Sequence, residues 1–241
     1  MGRTRPRSAI LVDGVEEGRA SASGWFVVGL DRDSPATVTI AVQTPSGLTE
    51  QSVRVGPGDF DIQRIDGLPE DQVNPQSPEL LARIAAESAR KAEGFSRRTD
   101  RDDFRSGFSL PLKSYRLSGR FGGQRILNGM PKTPHYGTDM AAPIGTKIYA
   151  PAAGMVCFAE TGLHYEGGLT LIDHGQGLIS AYLHQSQIAV RKGQLVHVGQ
   201  VIGAVGMEGR ATGPHLCWRM KWHGRYLDPM LMVGARPILQ V

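Results

Sequence analysis

From Phe108 onward the chain is a succession of short apolar segments broken by glycine, and this pattern admits little besides a sheet. The segments 156–158, 169–172, 178–183, 201–205 and 216–222 are apolar and separated by glycine turns. Short apolar runs bounded by glycine are the signal of strands joined by tight turns. No helical apolar period of useful length interrupts them. The expectation is therefore a mainly β protein whose C-terminal part, 106–235, is a largely antiparallel β-sheet domain.

The amino-terminal part predicts short strands as well, at 9–12, 25–30, 38–42, 51–55 and 60–65. Pro45-Ser46-Gly47 and Gly56-Pro57-Gly58 punctuate them as turns. This predicts a small, sandwich-like N-terminal β-domain over 1–68. It contains no histidine and no catalytic constellation. A docking or regulatory module and a plain folding partner are both open readings. A linker with one helix is expected over 69–105. Ser77 is a good N-cap, Pro78 suits the first helical position, and Glu79 favours the positive end of the dipole. Leu81, Ile84, Ala85, Ala92 and Phe95 fall near one face of that helix. The charge run from Arg97 to Asp103 reads as a solvated linker.

Composition narrows the function. No apolar run of the 241 residues approaches the ~20 needed to cross a bilayer. The basic start, Met1 to Arg7, is followed only by the short apolar stretch 9–12, too little for a signal peptide. A net charge of +4 and a pI near 9.2 suit an acidic partner or simply a solvated basic surface. Nucleic acid is not expected, because no recognition motif or aromatic-interleaved basic patch is present. Two cysteines, Cys157 and Cys217, make no disulfide framework. Cys157 sits in an apolar strand as a small buried residue. A Cys157–Cys217 bridge is the alternative, and it would withdraw Cys217 from any metal.

The chemistry concentrates in three places. Pro-His-Tyr-Gly-Thr-Asp at 134–139 sets His135 and Asp139 four residues apart, with Gly137 favouring a turn over a helix. Residues two apart on a strand share a face, so His215 and Cys217 converge while Leu216 enters the core. His184 follows Tyr182 and Leu183 on another apolar strand. Histidine, aspartate and thiol brought together are a zinc donor set. Each motif alone is weak, since a single histidine is usually a hydrogen-bonded structural residue. Arg125 and Asn128, shortly before the first ligand, are candidates for meeting substrate carboxylates or backbone. Turn formation is the alternative for Asn128. Tyr182 is a candidate for lining a groove, with core packing the alternative. His174 reads as structural, and His164, His197 and His223 carry no assigned role.

The order of these motifs is more specific than any one of them. His-Tyr-Gly-Thr-Asp-Met-Ala-Ala-Pro at 135–143, Ile-Asp-His-Gly at 172–175, Tyr-Leu-His at 182–184 and Gly-Met-Glu-Gly-Arg-Ala-Thr-Gly-Pro-His at 206–215 follow one another. This succession resembles the catalytic domain of the lysostaphin/LytM-type zinc metalloendopeptidases, which cut peptide bonds in peptidoglycan. The resemblance covers roughly 108–232. Gln-Arg-Ile-Asp-Gly-Leu-Pro at 63–69, within a region extending to Gly94, also resembles the amino-terminal region of Gram-negative members.

The resemblance implies a groove-bearing antiparallel β-fold and a zinc site of His135, Asp139 and a third ligand. In the family that ligand is the second histidine of a His-x-His pair; here the position holds Cys217. His184 and His215 match the two histidines that flank the attacking water. The implied substrate is a stem-peptide or cross-link amide of peptidoglycan, D-alanyl–diaminopimelate by the Gram-negative likeness. The implied location is the periplasm or cell envelope, with the signal or anchor absent from the chain as given. Cell-wall or divisome proteins are the implied partners. The competing expectation is a catalytically inactive adaptor that binds peptidoglycan or activates an amidase. Relatives of that kind lack most ligands, whereas this chain keeps them.

Overall fold

Asp139, Cys217 and Leu183 stand side by side across three neighbouring strands, and that register organises the molecule. The computed structural model describes residues 1–234 and 239–240; the expected domain end at 235 lies outside them. The largest sheet has ten strands. Its main path runs Leu195–Val196, Gly154–Leu163, Gly167–Asp173, Leu178–Ile188, His215–Trp222, Thr138–Ala141, Arg116–Gly119. Every neighbouring pair on that path is antiparallel.

Strand alternation sorts this sheet into two faces. Met140, Leu216, Trp218, Met220, Tyr182 and Ile172 point to one side, in a single apolar cluster with Ile10, Val12, Phe26 and Val38 of the amino-terminal part. The amino-terminal strands therefore share a core with the C-terminal sheet. Cys217, Leu183, Ala181, Leu169 and Leu171 point to the other side. The helix Pro78–Phe95 covers part of that second face, and the candidate site occupies the rest.

The helix begins as its sequence predicts, with the Ser77 hydroxyl accepting from the Leu80 amide at 3.1 Å and Pro78 at the first position. Its inward face differs from the apolar stripe expected. Leu81, Ala85 and Ala92 are exposed, while Glu87 and Gly94 are buried. Glu87 accepts from the His164 amide at 2.9 Å, and Lys91 pairs with Glu166 at 2.7 Å. The helix is docked by polar contacts to the hairpin it crosses, and Phe95 alone packs into the apolar cluster beneath it.

Two other expectations are corrected. The run from Arg97 to Asp103 is stitched down, not solvated: Thr99 donates to Asp173 at 2.8 Å, and the Gln176 amide donates to the Thr99 carbonyl at 2.8 Å. At Gly175 (φ +101°) a Cβ would lie 1.8 Å from the Arg101 carbonyl oxygen, so only glycine permits this approach. The segment Ile62–Ile65, expected within the amino-terminal domain, pairs in parallel with Gln124–Leu127. The amino-terminal part also has a strand, Val15–Arg19, that the sequence reading omitted, paired with Ala9–Val12 in a four-stranded sheet.

Candidate metal centre

Two devices bring His135 into place. Its amide donates to the Gly123 carbonyl and its carbonyl accepts from the Gly122 amide, both at 2.7 Å. Its ring Nδ1 lies 3.2 Å from the Arg120 carbonyl, which can only accept, so the ring proton sits on Nδ1. Nε2 therefore turns a lone pair inward. It lies 3.1 Å from Asp139 Oδ1 and 3.4 Å from Cys217 Sγ. Asp139 and Cys217 face each other across the strand pair. His135, Asp139 and Cys217 offer ligand atoms all within 4.8 Å of one another.

His184 and His215 complete the cluster, with ring centroids 4.7 Å apart. The backbone orients both. His184 Nδ1 donates to the Glu208 carbonyl at 2.7 Å, and His215 Nδ1 donates to the Gly213 carbonyl at 2.8 Å. Their Nε2 atoms are left as acceptors, and that of His215 is 3.6 Å from Asp139 Oδ1. His184 has φ +63°, an uncommon conformation for a non-glycine residue. Its strand is irregular there, with the register to its neighbour shifting between Gly168 and Thr170. Such a distortion redirects a side chain.

A metal ion fits this donor set. Asp139 Oδ1 is buried and has no hydrogen-bond partner among the described residues, although the His135 Nε2 lone pair is beside it. Burying an acceptor against another acceptor is costly unless a cation lies between them. The other carboxylate oxygen accepts from Arg125 Nη2 at 3.0 Å. Burial alone would raise the Asp139 pKa, but the positive charge that His135 first, then His215, carries when protonated, together with Arg125, holds it well below the carboxylate range. Burial pulls His184 down to about 3, so its ring is neutral at physiological pH. Burial pushes the Cys217 thiol up to about 12 before any cation is bound.

The residues singled out in the sequence divide as follows. His135, Asp139, Cys217, His184 and His215 converge. Arg125 is adjacent but pairs with Asp139, a ligand-orienting contact rather than a free hand for substrate. Tyr182 has no exposed surface; its hydroxyl lies 2.8 Å from the Ser180 hydroxyl, so it packs in the core and does not line the groove. Asn128 (φ +46°) forms the turn before Gly129, and its side-chain amide exchanges two hydrogen bonds with the Leu68 backbone. That leaves it structural. His174 is buried between the Ala153 carbonyl and Ser180. Both cysteines are free, which rules out the bridge between them.

Sequence reasoning overlooked Arg219, whose Nε donates to Cys217 Sγ at 3.4 Å. The period of two that joined His215 to Cys217 extends to Arg219. It also overlooked that the strand Ile62–Ile65 walls the groove beside Asp139. That groove, about 570 Å³, is lined by Arg64, Arg116, Arg125, Asp139 and His215 among others.

Comparison with known proteins agrees with this arrangement. The family model described as peptidase family M23 matches residues 133–229. A peptidoglycan DD-endopeptidase of Vibrio cholerae, ShyA, is 42% identical over 118 residues, covering 48% of this chain and 27% of the relative. A DD-carboxypeptidase/endopeptidase of Neisseria meningitidis, Mpg, is 36% identical over 138 residues, 56% of this chain and 31% of the relative. The chain thus spans less than a third of the length of these curated relatives. A crystal structure from Pseudomonas aeruginosa, described as a peptidase M23, superposes with a TM-score of 0.73 at 30% identity, over 97% of this chain and 90% of that one. Five convergent donor residues on an antiparallel sheet and likeness along the whole chain lead to one conclusion: the chain belongs to peptidase family M23.

Proposed function

We propose that this protein is a zinc endopeptidase of the cell envelope that hydrolyses an amide in peptidoglycan cross-links, the D-alanyl–diaminopimelate bond. The observation that carries this reading is the buried, partnerless Asp139 Oδ1 facing the His135 Nε2 lone pair and the Cys217 sulfur. The named activities of the Vibrio and Neisseria relatives supply the substrate class. His135, Asp139 and Cys217 would hold the ion, and zinc suits a nitrogen, oxygen and sulfur donor set with one position left open. A bound zinc supplies positive charge that acidifies water and polarises the scissile carbonyl.

The chain's own residues do the rest. His184 and His215 present two Nε2 acceptors beside the ligand set. One takes the proton of the attacking water at Nε2 and, now protonated, returns that proton to the leaving amine. Arg64 and Arg116, in the groove beside Asp139, suit a substrate rich in carboxylates. The convergence of His135, Asp139 and Cys217 with His184 and His215 supports this reading over the adaptor one.

The test is mass-spectrometric analysis of muropeptides after incubating sacculi with the zinc-loaded protein, with a chelated control. Cross-linked dimers are expected to fall and monomers to rise only with metal, the new ends naming the bond. Unchanged dimers with zinc bound in stoichiometric amount would contradict the proposal.

A further inference from the structure

Two anionic ligands on a divalent ion would leave it with no net charge, weakening its hold on a carbonyl. The structure has a compensating feature. Each anionic ligand is touched by a guanidinium: Arg125 Nη2 on Asp139 Oδ2 at 3.0 Å, and Arg219 Nε on Cys217 Sγ at 3.4 Å. Arg219 is partly buried, and the only side-chain hydrogen bond it makes in the described structure is to that sulfur. Of the acidic side chains near it, Glu166 is already paired with Lys91. A partly buried guanidinium without a carboxylate partner is drawn to another acceptor. The Cys217 sulfur is the acceptor that Arg219 Nε meets.

The local backbone is shaped to allow the contact. A Cβ at Gly137 would lie 2.7 Å from Arg219 Cγ and 2.8 Å from Cys217 Sγ. Gly137 therefore leaves the space in which the arginine stem lies beside the sulfur. Arg219 also shares its strand face with His215 and Cys217, so its position follows from the same register that builds the site.

We infer that Arg219 is a positioning residue that withdraws charge from the Cys217 thiolate, so that a His/Asp/Cys centre retains the electrophilic character the reaction needs. This inference rests on the zinc-endopeptidase reading above. Hydrogen bonds to a ligating thiolate lower its donation to the metal, and partners of this kind are worth 10- to 100-fold in affinity or activity when removed.

The experiment uses the full chain loaded with cobalt(II), whose absorption reports the thiolate directly, alongside hydrolysis of sacculi by the zinc form. In Arg219→Met the thiolate-to-cobalt band is expected to move to longer wavelength, and kcat to fall about 10- to 100-fold with KM nearly unchanged. Arg219→Lys keeps the charge and is expected to return the band and kcat most of the way to the parent values. A band and kcat unmoved in Arg219→Met would overturn the inference. So would equal shifts in the Met and Lys variants, since packing rather than charge would then be responsible. Absence of a thiolate band in the parent protein would overturn Cys217 as a ligand, and this inference with it.

Discussion

Cys217→Ala is expected to strip the protein of its metal and to abolish peptidoglycan hydrolysis while leaving the fold intact. The side chain is almost wholly buried, packed against Leu183 and Phe158 in a small apolar cluster, so truncation leaves a modest cavity. The cost to stability is on the order of 1 kcal/mol, as for loss of one small buried group. The cost to the site is far larger. Losing an outer-shell partner of a metal ligand already costs up to about 100-fold, and Cys217 is one of only three ligand side chains. Metal content after dialysis and hydrolysis of sacculi should both fall below about 1% of the parent values, by the same scale. Cys217→Ser sharpens the point. Its volume is close to cysteine's, but a hydroxyl holds its proton more firmly than a thiol, so retention of metal there should also be poor. Full metal occupancy in either variant would show that the ion is held without the sulfur.

His184→Ala and His215→Ala are expected to behave in the opposite way, keeping the metal and losing turnover. Neither histidine belongs to the ligand cluster, and each is fixed through Nδ1 by a backbone carbonyl. Removing a general acid–base group typically costs 10²–10⁴-fold, and kcat should fall within about that range for each variant. The His184 ring is held neutral. Burial lowers its pKa to about 3, with His215 adding to the effect, and a nearby divalent cation would lower it further. Its Nε2 is then an available acceptor throughout pH 5–8. The acid limb of the pH–rate profile should not be set by this ring. Loss of metal from His184→Ala would contradict the division between ligands and acid–base groups.

Much of the site was legible because it obeys strand periodicity. His215, Cys217 and the unnoticed Arg219 lie at spacings of two, and Leu216 and Trp218 enter the core as that period requires. The same rule failed at Tyr182. Alternation would place it on the face of His184, but His184 turns off the strand at positive φ, so Tyr182 stays in the core. A single strand's sequence does not announce such an irregularity, which depends on the partner strand around Gly168.

The helix Pro78–Phe95 is readable from its cap, but its buried face is not. Glu87 and Lys91 dock on the hairpin carrying His164 and Glu166, far along the chain. The strand Val15–Arg19 carried a usable signal that went unread: Asp13-Gly14, both at positive φ, is a hairpin turn between apolar residues. The parallel pairing of Ile62–Ile65 with Gln124–Leu127 has no such local signature.

The central claim is a metal centre made by His135, Asp139 and Cys217, and X-ray absorption at the zinc edge of the purified, zinc-loaded protein tests it most directly. The prediction is one sulfur neighbour at about 2.3 Å together with nitrogen and oxygen neighbours near about 2.0–2.1 Å. A first shell of nitrogen and oxygen alone, in protein that retains stoichiometric zinc, would contradict it.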